Sequence, residues 1–167
     1  MDHKAIKAHF LDVHTANADG IFRFCLVKTS SPEIAQDLAQ EVFMRFWQTL
    51  RERKDIENER AFLYTIARNL ITDWYRKKKS SSLDVLQEEG IEFGSDDHRQ
   101  MMNEAQMREA LDVVKLLDDA SREVLMMRFV EGLPPQEIAQ VLGEPVNRIS
   151  VRINRAIKKV QEILNHE

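Results

Sequence analysis

Apolar residues recur at three- and four-residue steps along most of the chain, the period of helices with one buried face. Residues 4–29 carry Phe10, Val13 and His14, then Ile21, Phe22, Phe24, Cys25 and Leu26, which predicts two helices with a break near Asn17–Gly20. Ser31 is placed to cap the next helix, with Pro32 in its first turn. From there Ile34, Leu38, Val42 and Phe46 form a core stripe to about Leu50. The charged run RERKDIENER predicts a loop, closed by Asn58 as a cap. The helix AFLYTIARNLITDWYRKKK then buries Phe62, Leu63, Ile66, Leu70, Ile71 and Trp74, and exposes Tyr64, Arg68, Asn69, Thr72, Asp73, Tyr75 and Arg76. Periodicity stops at Ser80 and resumes at Met101, through Met107, Ala110, Leu111, Val114 and Leu117. Asp118–Asp119 end that helix. Ser121 caps another, in which Val124, Leu125, Met127 and Phe129 face inward up to Gly132.

The last stretch, LPPQEIAQVLGEPVNRISVRINRAIKK, reads as two helices and a tight turn. Pro134 and Pro135 open the first, where no N–H partner is lost, and Ile138, Ala139 and Leu142 share a face. Gly143 suits a reversal with positive φ, and Pro145 restarts the chain. Val146, Ile149, Ile153, Ala156, Ile157 and Val160 form the apolar stripe of the second helix. The expected fold is all-α. Two small helical domains, 1–79 and 101–167, are joined by a flexible acidic linker, 80–100.

Composition agrees. Five glycines and four prolines among 167 residues are too few for an all-β fold with many turns. Cys25 stands alone in the apolar context FRFCLV, which predicts a buried packing role and a reducing cytoplasm rather than a disulfide framework. Met1 is followed by Asp2, His3 and Lys4, so no secretory signal is expected. No apolar run approaches membrane-spanning length, so no membrane insertion is expected. The net charge of −4 is unevenly divided: residues 1–79 carry +3, 80–110 carry −6 and 111–167 carry −1. Acidity is thus concentrated in the middle, and local positive clusters survive at both ends, where a phosphate backbone would meet them.

Three helix faces carry candidate chemistry. On the last helix Asn147, Arg148, Ser150, Arg152, Asn154, Arg155, Lys158 and Lys159 oppose the apolar stripe, with five basic residues and no acid between Pro145 and Lys159. The pattern fits a helical hairpin with a solvated basic face. It also fits a DNA-reading helix-turn-helix, since Arg reaches guanine or phosphate and Asn pairs with adenine. On DLAQEVFMRFWQ, Asp37, Gln40, Glu41, Met44 and Gln48 form an acidic-polar stripe flanked by Phe43 and Trp47. On the pattern alone those aromatics read first as core residues, and second as anchors for a basic partner helix. On the third face, aromatics interleaved with Arg, Asn and Lys up to Lys79 suit single-stranded nucleic acid, or simply a helix ending in a solvated basic run.

No catalytic constellation is present. The chain has no Gly-rich phosphate loop, no HExxH and no CxxC. His3, His9, His14, His98 and His166 follow no metal-ligand spacing, and a weak grouping of His9 and His14 with Asp12 is read as chance. A non-enzyme without metal or cofactor is expected.

Taken in order, these parts resemble a bacterial RNA polymerase sigma factor of the extracytoplasmic function (ECF) group, the two-domain type. Four segments carry the resemblance: DLAQEVFMRFWQ, AFLYTIARNLITDWYRKKK, ASREVLMMRFVEGL and LPPQEIAQVLGEPVNRISVRINRAIKKV. It implies a region 2-like domain at 1–79 and a region 4-like domain at 101–167. Core polymerase would be bound through the β′ clamp and β flap, with Asp37, Gln40, Glu41, Phe43 and Trp47 on the clamp. Arg68, Asn69, Asp73, Trp74, Arg76 and Lys77 would open and read the −10 element. Asn147, Arg148, Ser150, Val151, Arg152, Asn154, Arg155 and Lys158 would read the −35 element. The linker would thread the polymerase's active-site and RNA-exit path, and an anti-sigma partner would hold the factor inactive. The chain departs from the family pattern at Asn147–Arg148, where Gly-Thr is frequent, and at Ser150, where Lys or Arg is frequent. Two other readings are a helix-turn-helix regulator acting without polymerase and a sigma mimic that sequesters an anti-sigma factor.

Overall fold

The computed structural model describes residues 2–81 and 104–166, which fall into two compact units. The first is built from α1 (His3–Thr29), α2 (Pro32–Arg51) and α3 (Glu59–Ser81). The second holds α4 (Glu104–Lys115), α5 (Asp119–Leu125), a π-helical turn (Met126–Val130), α6 (Pro135–Leu142) and α7 (Val146–Asn165). The described residues include no strand. The expected linker lies, from residue 82 on, outside the described residues, as does Met101.

α1 is one helix, not two. Asn17 donates its side-chain amide to the Val13 carbonyl at 2.9 Å, so it adds a bond along the helix instead of ending it. Gly20 costs about 1 kcal/mol in a helix interior. Ile6 on one side of it and Ile21, Phe24 and Cys25 on the other are buried in the same core, which outweighs that cost. The helix stops where Ser30 turns left-handed (φ 57°) and its N–H returns to Leu26 O. Ser31 then caps α2 by accepting from Ile34 N at 3.3 Å, with Pro32 in the first turn. Asn58 caps α3 through Ala61 N at 2.9 Å.

The core of the first unit centres on Phe46, Ile21, Leu63 and Val42, all fully buried. Phe10 stacks on Phe46 at 5.9 Å and meets Trp47 edge-on at 5.2 Å. Tyr64, expected on the surface, is buried at 2 % exposure and meets Phe24 edge-on at 5.4 Å, because α1 covers that flank of α3. Two polar contacts fasten the ends of α3 to α1: Glu59 Oε2 lies 2.6 Å from His9 Nε2, and Tyr75 OH donates to Lys28 O.

Cys25 is fully buried, and desolvation pushes its thiol up to about 12 from an ordinary value near 9. The folded chain therefore holds roughly a thousandfold less thiolate than an exposed cysteine at neutral pH. Native protein at pH 8 is expected to resist iodoacetamide, and urea-unfolded protein to take up one label, as read by mass spectrometry. Rapid native labelling would contradict this burial.

In the second unit Val124, Met127, Leu133, Ile138 and Ile149 are fully buried together. The cap of α5 is Asp118, not Ser121. The Asp118 carboxylate accepts from Ser121 N at 3.2 Å, and Ser121 sits inside the first turn, donating its own hydroxyl to Asp118 at 2.7 Å. Lys159 of α7 reaches the same carboxylate at 2.9 Å. The Ser121 hydroxyl foremost, then Lys159, holds Asp118 well below the usual carboxylate range. Arg122 closes the other side, donating from Nε to Val114 O at 3.2 Å and from Nη2 to Leu117 O at 3.0 Å, which ties α5 to the last turn of α4 and the residues after it. After Leu125 the chain widens into a π turn, with Glu131 N donating to Met126 O at 3.0 Å. The wider turn breaks the 3.6-residue register, so Phe129 leaves the expected core and stands 62 % exposed.

Candidate polymerase and nucleic-acid interfaces

On α2 the structure divides the five residues expected at a partner surface. Asp37 and Gln40 are exposed, and Glu41 is half-buried and accepts from Arg45 Nε at 3.0 Å, one turn further on. Phe43 is 6 % exposed and packs at 4.5 Å on the His14 ring, so its main contacts are internal. Trp47 is half-buried against Phe10 and His3. Between α1 and α2 these rings border a groove of about 1020 Å³, walled by Phe10, Leu11, His14, Phe43, Met44 and Trp47. Met44 and Leu11 stand at its rim, 58 % and 51 % exposed. This is an apolar groove beside an acidic face.

α3 presents Asn69, Asp73, Arg76 and Lys77 to solvent, with Arg68 and Trp74 half-buried at their side. Lys78 Nζ sits 4.9 Å above the Trp74 ring, and Tyr75 meets the same ring at 4.9 Å. A cation over an indole beside a second ring is an arrangement on which a base can stack while the lysine reaches phosphate. Lys78 was not among the expected site residues. The basic run that closes the helix was its signal.

α7 rests on Ile149, Ile153 and Ala156, all buried, so its opposite face is fixed. Asn147, Arg148, Ser150, Val151, Asn154, Arg155 and Lys158 are exposed, and Arg152 is half-buried. Val146, expected in the apolar stripe, is 38 % exposed, because it begins α7 before the helix meets the core. The turn is built as expected: Gly143 has φ 66°, and its N–H returns to Ala139 O. Asn147, Arg148, Val151, Arg152 and Arg155 line one groove of about 540 Å³, together with Lys159 and the start of α5. Ser150, Asn154 and Lys158 lie outside it.

Two of the five cations are spoken for. Lys159 holds Asp118, and Arg152 holds Glu144, with Nη2 donating to Oε1 at 3.0 Å and Nη1 2.7 Å from Oε2. Arg148, Arg155 and Lys158 form no ion pair among the described residues. Glu144 escaped the sequence reading because it belongs to the turn, just outside the stretch counted as acid-free.

A family model for sigma-70 region 2 matches residues 13–81, and one for sigma-70 region 4 matches residues 113–162. The chain belongs to the sigma-70 family. Its relatives place it in the ECF group. The sigma factor is 28 % identical over 155 residues to a probable RNA polymerase sigma factor, RfaY of Xanthomonas campestris pv. campestris, covering 90 % of this chain but 39 % of RfaY. With SigV of Bacillus subtilis it shares 27 % over 164 residues, covering 96 % of this chain and 94 % of SigV. With the ECF factor SigW of the same organism it shares 27 % over 170 residues, covering 93 % and 88 %. Two solved structures have the same fold. One is RpoE of Bartonella quintana, crystallised with the anti-sigma factor NepR, at a TM-score of 0.66 and 22 % identity, covering 97 % of this chain and 98 % of that one. The other is CnrH, in complex with the cytosolic domain of CnrY, at 0.68 and 21 %, covering 96 % and 90 %. As a sigma factor the protein directs RNA polymerase to initiate transcription.

Proposed function

We propose that this factor divides promoter recognition among the three faces described. α2, with Asp37, Gln40, Glu41 and Trp47 around the Phe43-walled groove, docks on the polymerase β′ clamp. α3 reads the −10 element with Arg68, Asn69, Asp73, Trp74, Arg76 and Lys77. α7 reads the −35 element through its exposed Asn, Arg and Ser side chains, and the region 4-like unit also meets the β flap. Residues 80–100 link the domains as an acidic segment that mimics RNA in the polymerase channel. The protein has no catalysis of its own and works in the cytoplasm. Among the described residues no helix is long and apolar enough to cross a membrane. An anti-sigma protein holds it in check, a reading supported by the structural relative RpoE, which is crystallised with an anti-sigma factor.

The observation that carries this reading is α7, whose buried Ile149–Ile153–Ala156 stripe fixes a polar, cationic face outward at the second helix of a helix-turn-helix. Run-off transcription with core polymerase tests it. A chain that neither binds core nor starts transcripts refutes it. Glu41→Lys separates it from a regulator working without polymerase. Reversing the charge on a face meant for a basic helix places like charges together and should weaken core binding roughly tenfold or more, with duplex binding by the free chain unchanged. A Glu41→Lys chain that binds core normally removes α2 from that interface.

A further inference from the structure

Glu144 and Arg152 are joined across the turn of the helix-turn-helix, eight residues apart. Both are two-thirds shielded, Arg152 at 29 % and Glu144 at 30 % side-chain exposure, and Glu144 Oε2 is sealed from solvent and accepts no hydrogen bond among the described residues, facing the Arg152 charge. The carboxylate is held on stiff backbone, between Gly143 in the left-handed region and Pro145 at φ −61°. Loose surface pairs between two long side chains contribute little, but here one partner is anchored, Arg152 Nη2 donates to Oε1, and Nη1 lies in ion-pair contact with Oε2. That grip occupies the end-on edge and leaves the side edge, Nε–H with one Nη2–H, for something else. The charge of Arg152 is also largely cancelled, which makes it a poor phosphate ligand. Arg148 and Arg155, which line the same groove, have no carboxylate partner among the described residues. We propose that Glu144 is a specificity-determining positioning residue, which neutralises Arg152 and aims its side edge at the O6/N7 edge of a guanine in the −35 element. Arg148 and Arg155 then serve as the phosphate cations, and Arg152 as the reader.

The inference rests on the sigma reading, and one experiment separates the two. Core polymerase carrying the full chain selects active promoters from a library randomised in the −35 region. Wild type is expected to enrich a consensus with a guanine at one position. Glu144→Gln is expected to lose about tenfold of the preference at that position alone and to gain affinity for non-specific duplex, with a salt dependence steeper by about one power. In a background of Arg152→Ala, which has already lost the preference, Glu144→Gln should change nothing further. A Glu144→Gln profile identical to wild type overturns the inference. So does a uniform fall at every promoter, the mark of a merely destabilised turn. A wild-type chain that selects no consensus overturns the sigma reading itself, and this inference with it.

Discussion

Phe46→Ala is expected to take about 3–5 kcal/mol from the first unit, the largest stability loss of any single substitution proposed for it. The ring is fully buried where three helices meet, stacked on Phe10 at 5.9 Å and 6.4 Å from Phe62. Helices do not collapse into a hole the way a loop can, so the lost transfer energy and the cavity add. A domain of this size holds on the order of 5–15 kcal/mol in all, so a third or more of its stability is at stake. Both tryptophans, Trp47 and Trp74, belong to this unit, so urea unfolding followed by their emission reports it directly. Met44→Ala, on a side chain 58 % exposed in the same helix, should move the midpoint little. A shift below about 1 kcal/mol for Phe46→Ala would mean that the core is centred elsewhere.

Residues whose role is set by their own helix were legible. Val42 and Phe46, the caps at Ser31 and Asn58, and the left-handed Gly143 all follow from local spacing and local hydrogen bonds, and the structure has them there, while Ile34 and Leu38 of the same expected stripe are only half-buried. The misreadings have several causes. The supposed break at Asn17–Gly20 vanishes because packing on both sides of it rewards continuity. Tyr64 goes inside because α1 lies over it. Asp118 takes the cap from Ser121 through a local bond to Ser121 N three residues on, and Lys159 of α7, 41 residues away, adds a contact to the same carboxylate. Phe129 turns out because the π turn adds a residue to the register, and period counting assumes that no residue is added.

The same limit applies to the interfaces. That α7 would show Asn147, Arg148 and Arg155 followed from its stripe. How many of its charges are available did not, because that depends on Glu144 in the turn and Asp118 before α5. For the clamp face, sequence left Phe43 and Trp47 suspended between core and contact. The fold gives each a share of both, Phe43 mostly inward and Trp47 half out.

Replacing Arg148, Arg155 and Lys158 together by Gln is expected to weaken promoter binding by the polymerase-bound factor roughly 100-fold near 0.1 M salt. It should also flatten the salt dependence by about 2.7 powers, at about 0.9 for each phosphate no longer neutralised. The size follows from the pairing pattern, not from the count of basic residues. Five cations suggest five counterions released, but Lys159 is bound to Asp118 and Arg152 to Glu144, so the structure leaves three to do it. Arg152→Gln alone should therefore leave the slope almost unchanged and still relax base choice, a combination that no tally of charge predicts. Binding measured between 50 and 200 mM salt, with matched and mismatched −35 duplexes, reads both quantities at once. Should the triple substitution leave the slope as it was, the phosphates are being met by other residues, and α7 is steered by its base contacts alone. Should Arg152→Gln lower the slope by a full unit, the Glu144 pair opens on docking, and the guanidinium enters the groove as a free cation rather than a held one.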